Sequence, residues 1–259
     1  MKKTQRLDKI LVHLGYGTRS EIKKLVRAGS IHVNGKTAGD SGMQVNPLMD
    51  EIRVRDETVY FREFIYIMLN KPQGVVSATE DLRDSTVIDL LDERYAAFNA
   101  FPVGRLDKDT EGLLLLTNDG KLAHMLLSPR RHVPKTYYAK VLGKVTDREA
   151  ASFRQGVVLD DGYETMPAEL RILSVQGGEQ ESFVSEIELT IAEGKFHQVK
   201  RMFQAVGMQV VFLKRISMGG LLLDDRLSPG EYRELTETEI NMLKEWENGK
   251  RIEIQDDRP

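Results

Sequence analysis

The chain of 259 residues has no cysteine. Disulfides, thiolate metal sites and a cysteine nucleophile are therefore excluded by inventory, and a reducing compartment fits best. Long apolar runs are missing too: nothing approaches the roughly 18 residues that a membrane span needs. The charged start MKKTQRLDKI leads into no signal-type apolar segment. A soluble, cytoplasmic chain is expected. Overall positive charge is also lacking. A formal net charge of −3 argues at first sight against a nucleic-acid partner, because phosphate contacts demand local cations.

That average conceals a sorting of charge along the chain. From Met1 to Lys36 there are nine Lys or Arg against two acids, a net of +7. From Asp224 to Pro259 eleven acids oppose six bases, a net of −5. Lys121 to Lys140 and Lys195 to Arg215 each hold five bases and no acid. Three separate segments could thus face phosphate.

The first of them reads as two helices and a hairpin. Leu7, Ile10, Leu11 and Leu14 recur at helical spacing and Gly15 follows as a stop. Thr18-Arg19-Ser20-Glu21 has capping-box spacing, a hydroxyl at the N-cap and a carboxylate three residues on. In the helix it opens, Ile22, Leu25 and Val26 share one face and Arg19, Lys23, Lys24 and Arg27 another. Ile31 to Lys36 alternates as a strand and carries Asn34-Gly35, the strongest short hairpin signal. The basic face is either a site for RNA or merely solvated.

A boundary near residue 60 precedes the run Phe64 to Leu69, which is too uniformly apolar for a half-exposed strand and predicts one buried on both faces. Strands are expected at Thr136–Leu142, Ser185–Ile191 and Val210–Leu213. They alternate with helices at Val87–Tyr95, Lys121–Leu127 and His197–Val206, which gives a mixed α/β core over 61–248. Residues 249–259 are charged, without periodicity, and are expected to be a disordered tail.

Three segments could carry chemistry. Gly104 to Gly112 sets Asp107, Asp109 and Glu111 before four leucines. The alternation opens like a calcium loop, but Asn118 stands where the twelfth position needs a bidentate glutamate, so no metal is expected; a solvated acidic turn is the plain alternative. In Lys135 to Val141, Tyr137, Ala139 and Val141 share one strand face, so one tyrosine points inward. In Glu193 to Phe203, Val199, Met202 and Phe203 form an apolar helix face and His197, Lys200 and Arg201 a polar one. Cations at a helix N-terminus are unfavourable unless an anion sits there. That anion is a phosphate or a carboxylate such as Asp107, unless Lys200 and Arg201 are only surface cations.

Arg6-Leu7-Asp8-Lys9 through Val33-Asn34-Gly35 resembles the S4 RNA-binding domain over roughly residues 5–55. Gly104-Arg105-Leu106-Asp107, Thr110 and Gly112-Leu113-Leu114 resemble the G-R-L-D-x-x-T-x-G-L-L signature of the RsuA group of pseudouridine synthases. Leu69-Asn70-Lys71-Pro72, Lys135-Thr136-Tyr137 and Gly194 to Phe203 match that group's other motifs, in its order. The resemblance implies a small N-terminal helix-and-hairpin module followed by a catalytic domain of α+β type on a mixed, largely antiparallel sheet. It implies isomerisation of uridine to pseudouridine in ribosomal RNA without any cofactor. Asp107 would be nucleophile or base, Lys200 its cation with Arg201 as second choice, and Tyr137 the ring under the flipped base. RNA would be held by Arg105, Arg201, Arg19, Lys23, Lys24, Arg27, Asn70, Lys71, Lys135, Lys195 and His197. The partner implied is ribosomal RNA or a ribosomal assembly intermediate, met by a monomer and away from membranes. Similarity extending into Ser228 to Thr236 points to the small-subunit RNA; large-subunit RNA is the alternative, and a non-catalytic RNA-binding or assembly protein a further one.

Overall fold

The computed structural model describes residues 4–178 and 182–246, so the tail expected at 249–259 lies outside the described residues. The chain forms two units, Met1–Ile65 with Leu91–Ala100, and Tyr66–Leu90 with Phe101–Pro259.

In the first unit, helices α1 (Leu7–His13) and α2 (Arg19–Arg27) form as their patterns predict. Leu7, Ile10, Leu11 and Ile22 are fully buried. The capping box is present: Thr18 accepts from the Glu21 amide, and Glu21 accepts from the Thr18 amide at 2.7 Å. Arg19, Lys23, Lys24 and Arg27 stay exposed on the opposite face. A four-stranded antiparallel sheet follows, built from β1 (Ile31–Val33), β2 (Lys36–Thr37), β3 (Ile52–Val54) and β4 (Glu57–Val59), in the order β2-β1-β3-β4. Its first turn places Asn34 at φ 52° and Gly35 at φ 76°, the left-handed pair that a two-residue hairpin requires.

The helix expected at Val87–Tyr95 is not there. Thr86 and Asp89 instead bond each other's backbone amides, the local competition by which short polar side chains displace helix. Only a 3₁₀ turn follows, Glu93–Phe98, and it belongs to the first unit. There the Phe98 ring meets His13 edge-on with centroids 5.2 Å apart, and the Arg62 guanidinium lies 5.5 Å from the Phe98 centroid.

The second unit is built on a nine-stranded mixed sheet. Its main strands are β5 (Tyr66–Lys71), β6 (Glu111–Thr117), β7 (Lys135–Leu142), β8 (Glu169–Gln176), β9 (Val184–Ile191), β10 (Gln209–Met218) and β11 (Tyr232–Glu234). They run in the order β8-β9-β7-β10-β6-β5-β11. All pairs along this path are antiparallel except β6 with β10. All six residues of β5 are buried, although the strand begins two residues later than the run Phe64 to Leu69 and Phe64 itself is exposed. Helices α3 (Gly120–Leu127) and α5 (Gln198–Ala205) fall where expected. Two more, α4 (Asp147–Gln155) and α6 (Glu237–Glu245), were not anticipated, although each carries its own Thr-to-Glu capping box. The core joins Met68, Leu113 and Leu115 of the central strands to Leu122 and Leu126 of α3 and to Trp246. Among the described residues no helix is long and apolar enough to cross a membrane.

Candidate active site

The segment between Gly104 and β6 is held by backbone contacts at several points. Ser77 Oγ accepts from the Leu106 amide at 3.0 Å and donates to the Leu106 carbonyl at 2.9 Å. The Lys108 carbonyl accepts from the Gly74 amide at 2.8 Å. Beneath the turn lies the ammonium of Lys71. It donates to the carbonyls of Pro72, Asp107 and Thr110 at 2.9, 3.1 and 3.0 Å and has no exposed surface. Burial pulls its pKa down to about 8, against the raising influence of Asp107, Asp109 and Glu111. Asp107 is thereby fixed through its backbone while its carboxylate stays free to face the cavity.

The first turn of α5 meets that carboxylate. Lys200 Nζ lies 3.1 Å from Asp107 Oδ2 and 2.6 Å from Asp109 Oδ1, and His197 Nε2 lies 3.4 Å from Asp107 Oδ1. The anion that the cation-rich helix start demanded is therefore Asp107, with Asp109 beside it. Burial works against the Lys200 charge, but the two carboxylates outweigh it and raise its pKa. Asp109 is held below the ordinary carboxylate value, chiefly by its hydrogen bond from Lys200. His197 is in the left-handed region at φ 49° and stacks on Phe196, whose ring is largely exposed.

Asp107 opens onto a cavity of about 740 Å³ lined also by Arg105, Lys135, Tyr137, Tyr163, Glu193, His197 and Arg215. That size lies within the ~300–1,000 Å³ typical of small-ligand sites. Tyr137 faces it from β7 on the inward side, with Ala139 and Val141. On the far rim the buried carboxylate of Glu193 ties three pieces together. It accepts from the Tyr163 hydroxyl at 2.6 Å, the Met166 amide at 2.9 Å and Gln198 Nε2 at 2.7 Å. The Lys195 ammonium sits 4.2 Å from the Tyr163 ring centroid. Among the described residues no cluster of three or more His, Asp or Glu could hold a metal ion.

Residues 65–205 match the RNA pseudouridylate synthase family and residues 5–52 match the S4 domain. The chain belongs to the RNA pseudouridine synthases. It is 52% identical over 240 residues to an uncharacterised RNA pseudouridine synthase of Bacillus subtilis, covering 93% of this chain and 98% of the relative. It is 39% identical over 236 residues to ribosomal small subunit pseudouridine synthase A of Escherichia coli, covering 91% and 98%. Identity to ribosomal large subunit pseudouridine synthase B of B. subtilis is 38% over 240 residues, covering 93% and 96%. A crystal structure of a pseudouridylate synthase, 38% identical, superimposes with a TM-score of 0.63 over 92% of this chain and 99% of the other.

In this synthase the expected site residues divide into groups. Asp107, Tyr137, His197 and Arg105 line one cavity, and Lys200 bonds the Asp107 carboxylate from outside its lining. Three residues expected at RNA are engaged elsewhere in the structure. Lys71 is buried under the Asp107 turn. Asn70 is buried and donates to the Leu227 carbonyl at 2.7 Å. Arg201, the second choice as partner of Asp107, is instead bound to Asp160 and Asp161, the latter at 2.7 Å. Lys135 is buried as well and faces the cavity rather than the outer surface. Arg105 and Lys195 remain exposed. Glu193, Tyr163 and Arg215 escaped notice in the sequence. A lone Glu beside a glycine and a lone Arg in a strand have no local pattern to betray burial.

Proposed function

We propose that this synthase isomerises one uridine of small-subunit ribosomal RNA, with the carboxylate of Asp107 acting at C1′ or at the 2′ proton of a flipped-out nucleotide. The observation that carries the chemistry is the Asp107 carboxylate set 3.1 Å from the Lys200 ammonium on the wall of an open cavity. A fixed cation beside a carboxylate favours its charged form, which either route needs.

Breaking the bond from N1 to C1′ and joining C5 to C1′ moves no electrons in or out, so the residues present suffice. The target base must first leave its stack, which costs a few kcal/mol. Tyr137, on the cavity wall, offsets part of that by stacking, which contributes ~1–3 kcal/mol per base, and its hydroxyl is suited to the proton exchanged at C5. Arg105, exposed beside Asp107, takes a phosphate or fills the gap left by the base. The exposed cations of α2 track the flanking backbone, and the shape of structured RNA sets their register. The small-subunit assignment rests on the similarity to the synthase A relatives.

The experiment is to delete the gene and map pseudouridines in both ribosomal RNAs by carbodiimide-dependent primer-extension stops. Loss of one small-subunit stop, restored by the normal chain and not by Asp107→Asn, is the expected result. A stop lost only from the large-subunit RNA would move the target and keep the enzyme. No loss in either RNA would remove ribosomal RNA as the substrate.

A further inference from the structure

Two cations in the cavity wall have no acid to answer them. Arg215, on β10, is almost fully buried. Its Nε donates to the Leu113 carbonyl at 2.8 Å, while Nη2 has no hydrogen-bond partner among the described residues. Lys135, on the neighbouring strand β7, is buried too and donates to the Val133 carbonyl at 3.0 Å. An ammonium carries three donors, and this is the one bond Lys135 makes among the described residues. Neither cation has a carboxylate within ion-pair distance among those residues. The two feel each other directly: burial lowers the Lys135 pKa to about 8 and the Arg215 charge adds to the shift. Both line the same cavity as Asp107 and Tyr137, and Arg215 pairs with Tyr137 across the strands.

Buried cations with unspent donors are costly unless a ligand takes them up. The reaction generates such a ligand. When the bond from N1 to C1′ breaks, its electron pair leaves with the base, and uracil becomes a monoanion with charge on N1 and on both carbonyl oxygens. That charge is consumed when C5 bonds C1′; the C5 proton then departs and N1 gains one, with no further change in net charge. We propose that Lys135 and Arg215 form a cationic wall that holds the detached uracil through its carbonyl oxygens while it turns. The inference rests on the reading of the chain as a synthase acting on a flipped-out uridine. Fixed charges of this kind accelerate a step because they meet charge that appears only as the bond breaks.

The test compares single-turnover rates of glycosidic-bond cleavage on RNA carrying uridine or 5-fluorouridine at the target, for the normal chain, Lys135→Met and Lys135→Arg. Fluorine stabilises the departing anion by itself. Lys135→Met is expected to slow the uridine reaction by about 10²-fold, with RNA affinity unchanged and Lys135→Arg recovering most of the rate. Its defect on 5-fluorouridine RNA should be several-fold smaller. An equal defect on both RNAs, or no recovery by arginine, would reduce Lys135 to packing and overturn the proposal. Weakened RNA binding with an unchanged rate would do so as well, by making the pair a phosphate site. Inactivity of the normal chain on the mapped uridine would instead remove the reading beneath it.

Discussion

Asp107→Asn preserves size but removes the charge that the proposed reaction needs, and its amide can accept from only one of Lys200 and His197, which the carboxylate faces with two oxygens. Single-turnover assays should find isomerisation abolished while RNA affinity, measured by filter binding, changes little. Retained activity would assign the chemistry elsewhere. Lys200→Met takes away the cation shared by Asp107 and Asp109 and should slow the reaction by about 10²-fold. Lys71→Met acts differently, because it strips the donor from three carbonyls. Each buried acceptor left unpaired costs ~1–3 kcal/mol, so the midpoint of denaturation should fall along with the rate. Buried Lys71 and Lys135 also leave a pH signature. Each has a folded pKa of about 8 against ~10.4 in an unfolded chain. Between those values the unfolded chain holds the proton that the native one has released, so their contribution to stability rises with pH across that window and is lost below it. Urea titrations of the normal chain and Lys135→Met should diverge as pH rises from 8 toward 10. Parallel curves would mean that Lys135 titrates as a solvated lysine does.

At the level of elements, Gly112 sets the one parallel pairing on the sheet path. A Cβ there would lie 2.2 Å from the Arg215 carbonyl oxygen, and its φ is 102°. Gly112→Ala should therefore disrupt the β6–β10 register beside the cavity and lower thermal stability well beyond an ordinary surface change, as calorimetry would register. On α2, Lys23→Gln with Lys24→Gln and Arg27→Gln leaves the buried face intact. RNA affinity should drop and the slope of log affinity against log salt should flatten by up to about one for every phosphate no longer neutralised. An unchanged slope would make that face merely solvated.

Elements with a clean local signal were legible: α1 and α2 from spacing, the turn from Asn34-Gly35 and β5, to within two residues, from its unbroken apolar run. Val87–Tyr95 was not, because Thr86 and Asp89 win the backbone locally. The capping boxes of α4 and α6 were present in the sequence but lacked a strong apolar stripe beside them. Within the site, motif order pointed to Asp107 and Lys200, and the structure brings them together. The burial of Lys71 and Asn70 was not legible, since a basic or amide residue in such a motif carries no local mark of it.

Over the whole molecule, the first unit is closed by residues far along the chain. A chain lacking residues 1–65 would leave Phe98 without His13 and Arg62. Limited proteolysis of such a chain should cut within Leu91–Ala100, where the full-length protein resists. Equal resistance would show that this segment holds its place unaided.

The same feature bears on how the protein is born. The ribosome releases the chain from its N-terminus, and domains generally fold as units as they emerge. Here the first unit takes in Leu91–Ala100, so although its core of residues 7–59 is out early, its contacts with Phe98 form only after that segment has emerged. Until then the surface that receives Phe98 stays open, while the first strand of its neighbour is already being made. The two units are thus sewn together in time, and a pause in translation before residue 100 would leave both of them incomplete.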